Sequence, residues 1–134
     1  MSLLPKPWWL RAVSKGTVWI TIHPNIYYSK NDDPFDPAMA PILEHEKKHL
    51  EQQAGSGKWA WLIKYCVSRK FRLRQEVEAL VAELPHRPQE HHEWRIEGFA
   101  GQLSSIMYFW CATYKAAETA IRSEWAKHLS QLSA

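Results

Sequence analysis

The segment Ile42-Leu43-Glu44-His45-Glu46-Lys47-Lys48-His49-Leu50 constrains this chain more than any other stretch of it. Two histidines stand four residues apart, with a glutamate directly after the first. The surroundings read as helix on independent grounds: Pro41 is tolerated in a first helical turn, and Gly55 can take the left-handed conformation just past a helix end. Four residues is slightly more than one turn, so both imidazoles leave the same face and can grip one ion at about 2.0 to 2.1 Å. Glu46 falls on the adjoining flank, placed to hold the water that such an ion activates rather than to ligate. The plain alternative is a solvated helix face that carries His, Glu and Lys at helical spacing.

A catalytic site of this kind needs a third protein ligand and one open position. Glu76 lies 27 residues beyond His49, in Arg72-Leu73-Arg74-Gln75-Glu76-Val77-Glu78-Ala79-Leu80-Val81-Ala82-Glu83. On a helix, Glu76, Ala79 and Glu83 share a face, and the small Ala79 lets that face approach the motif closely. Glu78 competes for the role. At about 100° per residue it points some 200° away from Glu76, so only one of the two can face the metal. Glu76 is favoured because it shares its face with Ala79.

The expected architecture is α+β, with a small N-terminal antiparallel β-hairpin or sheet followed by about five helices, in one domain spanning 1–134. Trp9 to Val13 and Thr17 to Ile22 read as the two strands of the hairpin, turning at Ser14-Lys15-Gly16, and Ile26 to Tyr28 reads as a third short run. A polar, proline-bearing loop follows from Asn31 to Pro37. Beyond the motif helix, Lys58 to about Val67 and about Arg72 to Leu84 read as helices, with Ser68-Arg69-Lys70 as a corner between them and Pro85 as a stop. From Glu93 onward Ile96, Phe99, Ala100, Leu103, Ile106, Met107 and Trp110 recur at helical spacing, and Ala117, Ala120, Ile121, Trp125 and Leu129 do so again.

Through these residues the chain resembles the gluzincin metallopeptidases, in which HExxH is completed by a glutamate on a following helix. Within that group it is similar to short phage-type or minimal gluzincin proteins. The matching residues are His45, Glu46, His49, Gln52, Trp61, Tyr65, Arg74, Glu76, Glu78 and Ala79, and the resemblance covers about Thr17 to Ala82. It implies a zincin-like fold, one Zn2+ per chain held by His45, His49 and Glu76, and Glu46 as general base in the hydrolysis of peptide bonds. Leu80 departs from the pattern, since many relatives carry Asp or Asn there to support the site. Arg74 and Gln52 are candidates for orienting the ligands. Tyr65, Tyr108 and Tyr114 are candidates for stabilising the anionic transition state, and an exposed edge of the hairpin, Thr17 to Ile22, could hold an extended peptide by strand addition.

Composition narrows the other classes. Seventeen basic residues against fourteen acidic ones give a net charge of +3, a mild excess that predicts no nucleic-acid partner. No apolar run approaches the roughly 20 residues that span a bilayer and no signal peptide is evident, so no membrane partner and a cytoplasmic location are expected. Cys66 and Cys111 sit in apolar helices and read as buried, inert thiols. His86, His91 and His92 read as a solvated loop, and His23 as a surface histidine. Three rival functions remain open: a non-catalytic zinc-binding structural or interaction protein, a basic nucleic-acid binder, and an amide hydrolase acting on peptidoglycan.

Overall fold

The computed structural model describes residues 1–13 and 18–133. Three strands, β1 (Ser2–Pro5), β2 (Ile20–Ile22) and β3 (Asn25–Tyr28), form one sheet in the order β1-β3-β2, with β1 parallel and β2 antiparallel to β3. Among the described residues six α-helices accompany it: α1 (Trp8–Val13), α2 (Ala40–Ser56), α3 (Lys58–Val67), α4 (Arg69–Glu83), α5 (His92–Leu103) and α6 (Tyr114–Leu132). The chain is therefore α+β, as its periodicities predict.

The N-terminal region departs from the expected hairpin. Trp8–Val13 is a short helix, not a strand, and the expected turn at 14–16 lies outside the described residues. Arg11 N–H reaches the Pro7 carbonyl at 3.1 Å, which closes a helical turn. Leu10 is buried, while Trp8 and Trp9 on either flank of it in the first turn face outward. Leu, Arg and Ala are also stronger helix formers than strand formers. The first strand of the sheet is instead β1, which pairs with β3 and not with β2, and its Pro5 lies at the end of an edge strand, where proline removes no needed donor.

Gln53 fixes the sheet to α2. Its side-chain amide donates to the Thr21 carbonyl at 2.9 Å, and its carbonyl accepts from the His23 backbone N–H at 2.7 Å. Gln53 is fully buried, and both of its polar atoms are satisfied by β2. These two bonds occupy the outward-facing backbone from Thr21 in β2 to His23 just beyond it. That part of the edge is closed to strand addition, contrary to expectation.

Helices α4, α5 and α6 enclose the apolar core around Leu80, Leu84, Ile96, Phe99, Leu103 and Ile121, with Cys111 among them. Ser68 caps α4, its hydroxyl accepting from Phe71 N–H at 3.2 Å, so Arg69 and Lys70 belong to the helix rather than to a corner. Helix α5 stops at Leu103 instead of running on toward Trp110. The Ser104 and Ser105 hydroxyls take the carbonyls of Gly101 and Gln102, and Trp110 N–H turns back to the Ser105 carbonyl at 2.9 Å. A 3-10 turn follows at Ile106–Tyr108, then Phe109 and Trp110 with φ of 54° and 47°. Ile106, Met107, Phe109 and Trp110 consequently lie exposed rather than in the core.

Candidate metal centre

Helices α2 and α4 pack side by side, and each contributes part of one buried group. His45, His49 and Glu76 each offer a ligand atom, all lying within 4.8 Å of one another. His45 Nε2 lies 3.2 Å from Glu76 Oε2, and His49 Nε2 lies 3.4 Å from Glu76 Oε1. Ala79 is fully buried one turn along from Glu76. Its lack of a longer side chain permits the close approach of the two helices. The group could hold a metal ion.

The hydrogen bonds behind the ligands fit that role. Gln52 donates its amide to the Gln75 carbonyl at 3.1 Å and to Glu78 Oε2 at 3.0 Å, and both of these groups are acceptors. The amide orientation is thereby fixed, and Gln52 Oε1, 2.9 Å from His49 Nδ1, must accept from it. His49 Nδ1 therefore carries a hydrogen, and Nε2 is the nitrogen turned toward Glu76. An Nε2 lone pair facing carboxylate oxygens needs either a proton or a cation between them. Without metal a proton fills the gap. Burial alone would lower the His49 pKa, but Glu76, Glu46 and Gln52 overcome it and push it up to about 9. Burial likewise favours the neutral form of Glu76, and the two histidines outweigh that and hold its carboxyl well below the usual range.

His45 Nδ1 has a different neighbour. Glu83, two turns beyond Glu76 on the same face of α4, brings Oε1 to 3.7 Å from it, short of a hydrogen bond. Glu83 is itself held by Arg95, whose Nε and Nη2 donate at 2.6 and 3.1 Å, while Arg87 Nε lies 3.2 Å away without hydrogen-bond geometry. Burial would raise the Glu83 pKa, and Arg95 above all reverses it. An amide thus supports His49 through a hydrogen bond, the usual arrangement for a metal-binding imidazole, while a carboxylate faces His45 Nδ1 without bonding it. Position 80, where the resemblance expects a polar residue, is a fully buried leucine of the core, and Glu83 one turn later supplies the polar group.

Glu46 is buried beside the three ligands, in a cleft of about 730 Å³ that also admits Trp19, Thr21, Tyr65 and Tyr108. The Thr21 hydroxyl donates to Glu46 Oε2 at 2.6 Å, so β2 steadies one carboxylate oxygen. Burial raises the Glu46 pKa from 4.5, against the pull of His49, His45 and the Thr21 hydrogen bond. Tyr65 donates to Glu76 Oε1 at 2.5 Å. Burial and the nearby Glu76 raise the pKa values of Tyr65 and Tyr108 well above 10, so both phenols remain donors at neutral pH.

Several sequence candidates lie elsewhere. Glu78 is half-buried and engaged with Gln52, not with the histidines. Arg74 is exposed, and the arginine that reaches the cleft is instead Arg72, buried at 3% exposure, with Nε on the Tyr108 carbonyl at 3.1 Å and Nη1 on the carbonyls of Tyr65 and Cys66. Tyr114 is exposed at the start of α6 and does not line the cleft. His86 and His91 are exposed, and His92 packs on Trp125. His23 is half-buried at the end of β2. Cys66 is exposed on α3 rather than buried, whereas burial raises the thiol pKa of Cys111 and keeps it inert. No sequence pattern marks Thr21 as a support, and only the face that Glu83 shares with Glu76 hints at the place of Glu83. Comparison with protein-family models, with curated proteins and with solved structures gives no match, so the chain's own residues carry the functional reading.

Proposed function

We propose that this chain is a zincin-like, gluzincin-type zinc hydrolase that cleaves peptide bonds. The observation that carries the reading is the joining of two kinds of group in one cleft: a buried His45-His49-Glu76 set, and a Glu46 carboxyl beside it that is held but does not ligate. Two imidazole nitrogens and a carboxylate make a mixed donor set that suits zinc. His45 Nε2, His49 Nε2 and a Glu76 oxygen would hold the ion, which supplies Lewis acidity and lowers the pKa of a water toward about 7.

The remaining steps belong to the chain. Glu46 takes a proton from the attacking water, and its raised pKa brings the carboxyl nearer to the working pH, where such transfer is most effective. It then returns that proton to the leaving amine. The Thr21 hydroxyl keeps Glu46 from rotating during the exchange. Negative charge that develops on the substrate oxygen meets the phenol of Tyr108, on the cleft wall and protonated, whereas the O–H of Tyr65 is taken up by Glu76 and holds that ligand in place.

Two measurements test the reading together. Protein purified without chelator should contain one zinc per chain by elemental analysis, and it should cleave members of a mixed peptide library in a manner abolished by a chelator and restored by zinc. Protein that holds no transition metal and takes none up on titration refutes it.

A further inference from the structure

Helix α3 is amphipathic in the unusual sense: its apolar residues point outward. Trp59, Ile63 and Val67 are 70%, 63% and 76% exposed. At about 100° per residue they fall within an arc of about 80°, and Lys58 and Lys64 stand on opposite sides of that arc. Lys58 Nζ lies over the Trp59 ring at 5.0 Å, and Lys64 Nζ lies 5.8 Å from the centre of the Phe71 ring, so each ammonium hangs at the edge of aromatic surface.

Charge sets this stretch apart. Residues 58–74 contain six basic residues and no acidic one, whereas elsewhere the other eleven basic residues face all fourteen acidic ones. Of those six, only Arg72 is buried. It ties the C-terminal end of α3 to the exposed 106–110 loop by binding the carbonyls of Tyr65 and Cys66 on one side and of Tyr108 on the other. Phe109, 67% exposed, lines the cleft beside Arg72, and Trp110 next to it in the chain is 55% exposed.

We propose that this surface docks on an anionic lipid bilayer. An apolar arc bearing tryptophan and flanked by lysines is the pattern of a helix that lies in the bilayer interface, with the arc among the acyl chains and the ammonium groups among lipid phosphates. The charge is complementary to such a membrane. A phosphate backbone would match the charge but offers nothing to Ile63 and Val67. No helix among the described residues is long and apolar enough to cross a membrane, and lying on one makes no such demand. The inference is independent of the hydrolase reading. If both hold, the cleft opens beside the bilayer surface.

The test mixes the full chain with sedimentable vesicles of phosphatidylcholine alone, or with about one third phosphatidylglycerol. Wild-type protein should bind the anionic vesicles about tenfold or more tightly than the neutral ones, with affinity that falls as salt rises. The double variant Trp59→Ser/Ile63→Ser should weaken binding about tenfold with its helical circular dichroism unchanged, since both side chains are exposed. Lys58→Glu/Lys64→Glu should remove the preference for anionic lipid. The proposal is overturned by protein that stays in the supernatant with both vesicles, or by binding that both double variants leave intact. It is equally overturned by a dimer in solution that Trp59→Ser/Ile63→Ser dissociates, or by duplex DNA that binds this surface while vesicles do not.

Discussion

Helices α3 and α4 border the same cleft and are built on opposite plans. Eight of the fifteen residues of α4 are buried, among them Arg72, Gln75, Glu76 and Glu83, whereas α3 buries only Trp61 of its ten. The apolar helix is thus the exposed one, and the helix rich in charge runs through the interior. What α3 contributes inward is polar: Trp61 Nε1 donates to Gln75 Oε1 at 2.9 Å, and Tyr65 donates to Glu76. Burial here follows the polar network around the ligands rather than hydrophobicity. A buried carboxylate or guanidinium is tolerable because each is hydrogen-bonded or ion-paired.

The contrast is broken most severely at the ligands. Glu76→Ala should remove stoichiometric metal binding, as should His45→Ala and His49→Ala, whereas Glu78→Ala and Trp59→Ser should leave it, as read by metal titration and elemental analysis. Should Glu78→Ala lose the metal while Glu76→Ala keeps it, the face of α4 assigned to the site is the wrong one.

A smaller effect separates the two tryptophans of α3. Trp61 is buried at 4% exposure, stacks on Tyr65 and bonds Gln75, so Trp61→Ala should cost about 3–5 kcal/mol in denaturant unfolding. Trp59→Ala should change stability by no more than about 0.5 kcal/mol. Equal losses at the two positions would mean that the exposed face of α3 is covered within the folded chain. Smaller again, Gln52→Ala removes the acceptor behind His49 Nδ1 and should weaken metal binding about 10- to 100-fold, with the fold retained.

The gentlest probe is pH. In metal-free protein the His49 pKa, raised from 6.5 to about 9, contributes stability that is complete below pH 6.5 and lost as pH rises through about 9. Glu76, lowered from 4.5, contributes stability that is present above pH 4.5 and lost only as pH falls through its folded value. Metal binding requires His49 Nε2 to be deprotonated, so rising pH favours the loaded form. The Tm difference between zinc-loaded and chelated protein should therefore widen from pH 6.5 to about pH 9. A constant difference over that interval would show that His49 is not protonated in the metal-free state.

Much of the α2 and α4 arrangement was legible because it is local. The spacing of His45 and His49 sets their common face, and the face shared by Glu76 and Ala79 singles out Glu76 over Glu78. What lay beyond the sequence depends on which elements dock. Thr21 reaches Glu46 where Gln53 bonds β2 to α2, and Arg72 is internal where the carbonyls of Tyr65, Cys66 and Tyr108 accept from it. The N-terminal helix was hidden by its tryptophans, which suggest a strand but point outward from a single helical turn. The break after Leu103 was hidden because Ile106, Met107 and Trp110 continue the helical period in sequence, while two serines end it in space.

The central claim is that Glu46 moves the proton while His45, His49 and Glu76 hold the metal. Glu46→Gln tests it most directly, because the amide is nearly the same size and can still accept from Thr21 through its carbonyl oxygen, yet cannot take a proton from water. The variant should bind zinc as the wild type does and lose peptide hydrolysis by about 10²- to 10⁴-fold, measured on a peptide that the wild type cleaves and against a chelated control. A Glu46→Gln protein with full zinc occupancy that cleaves as fast as the wild type would contradict the account.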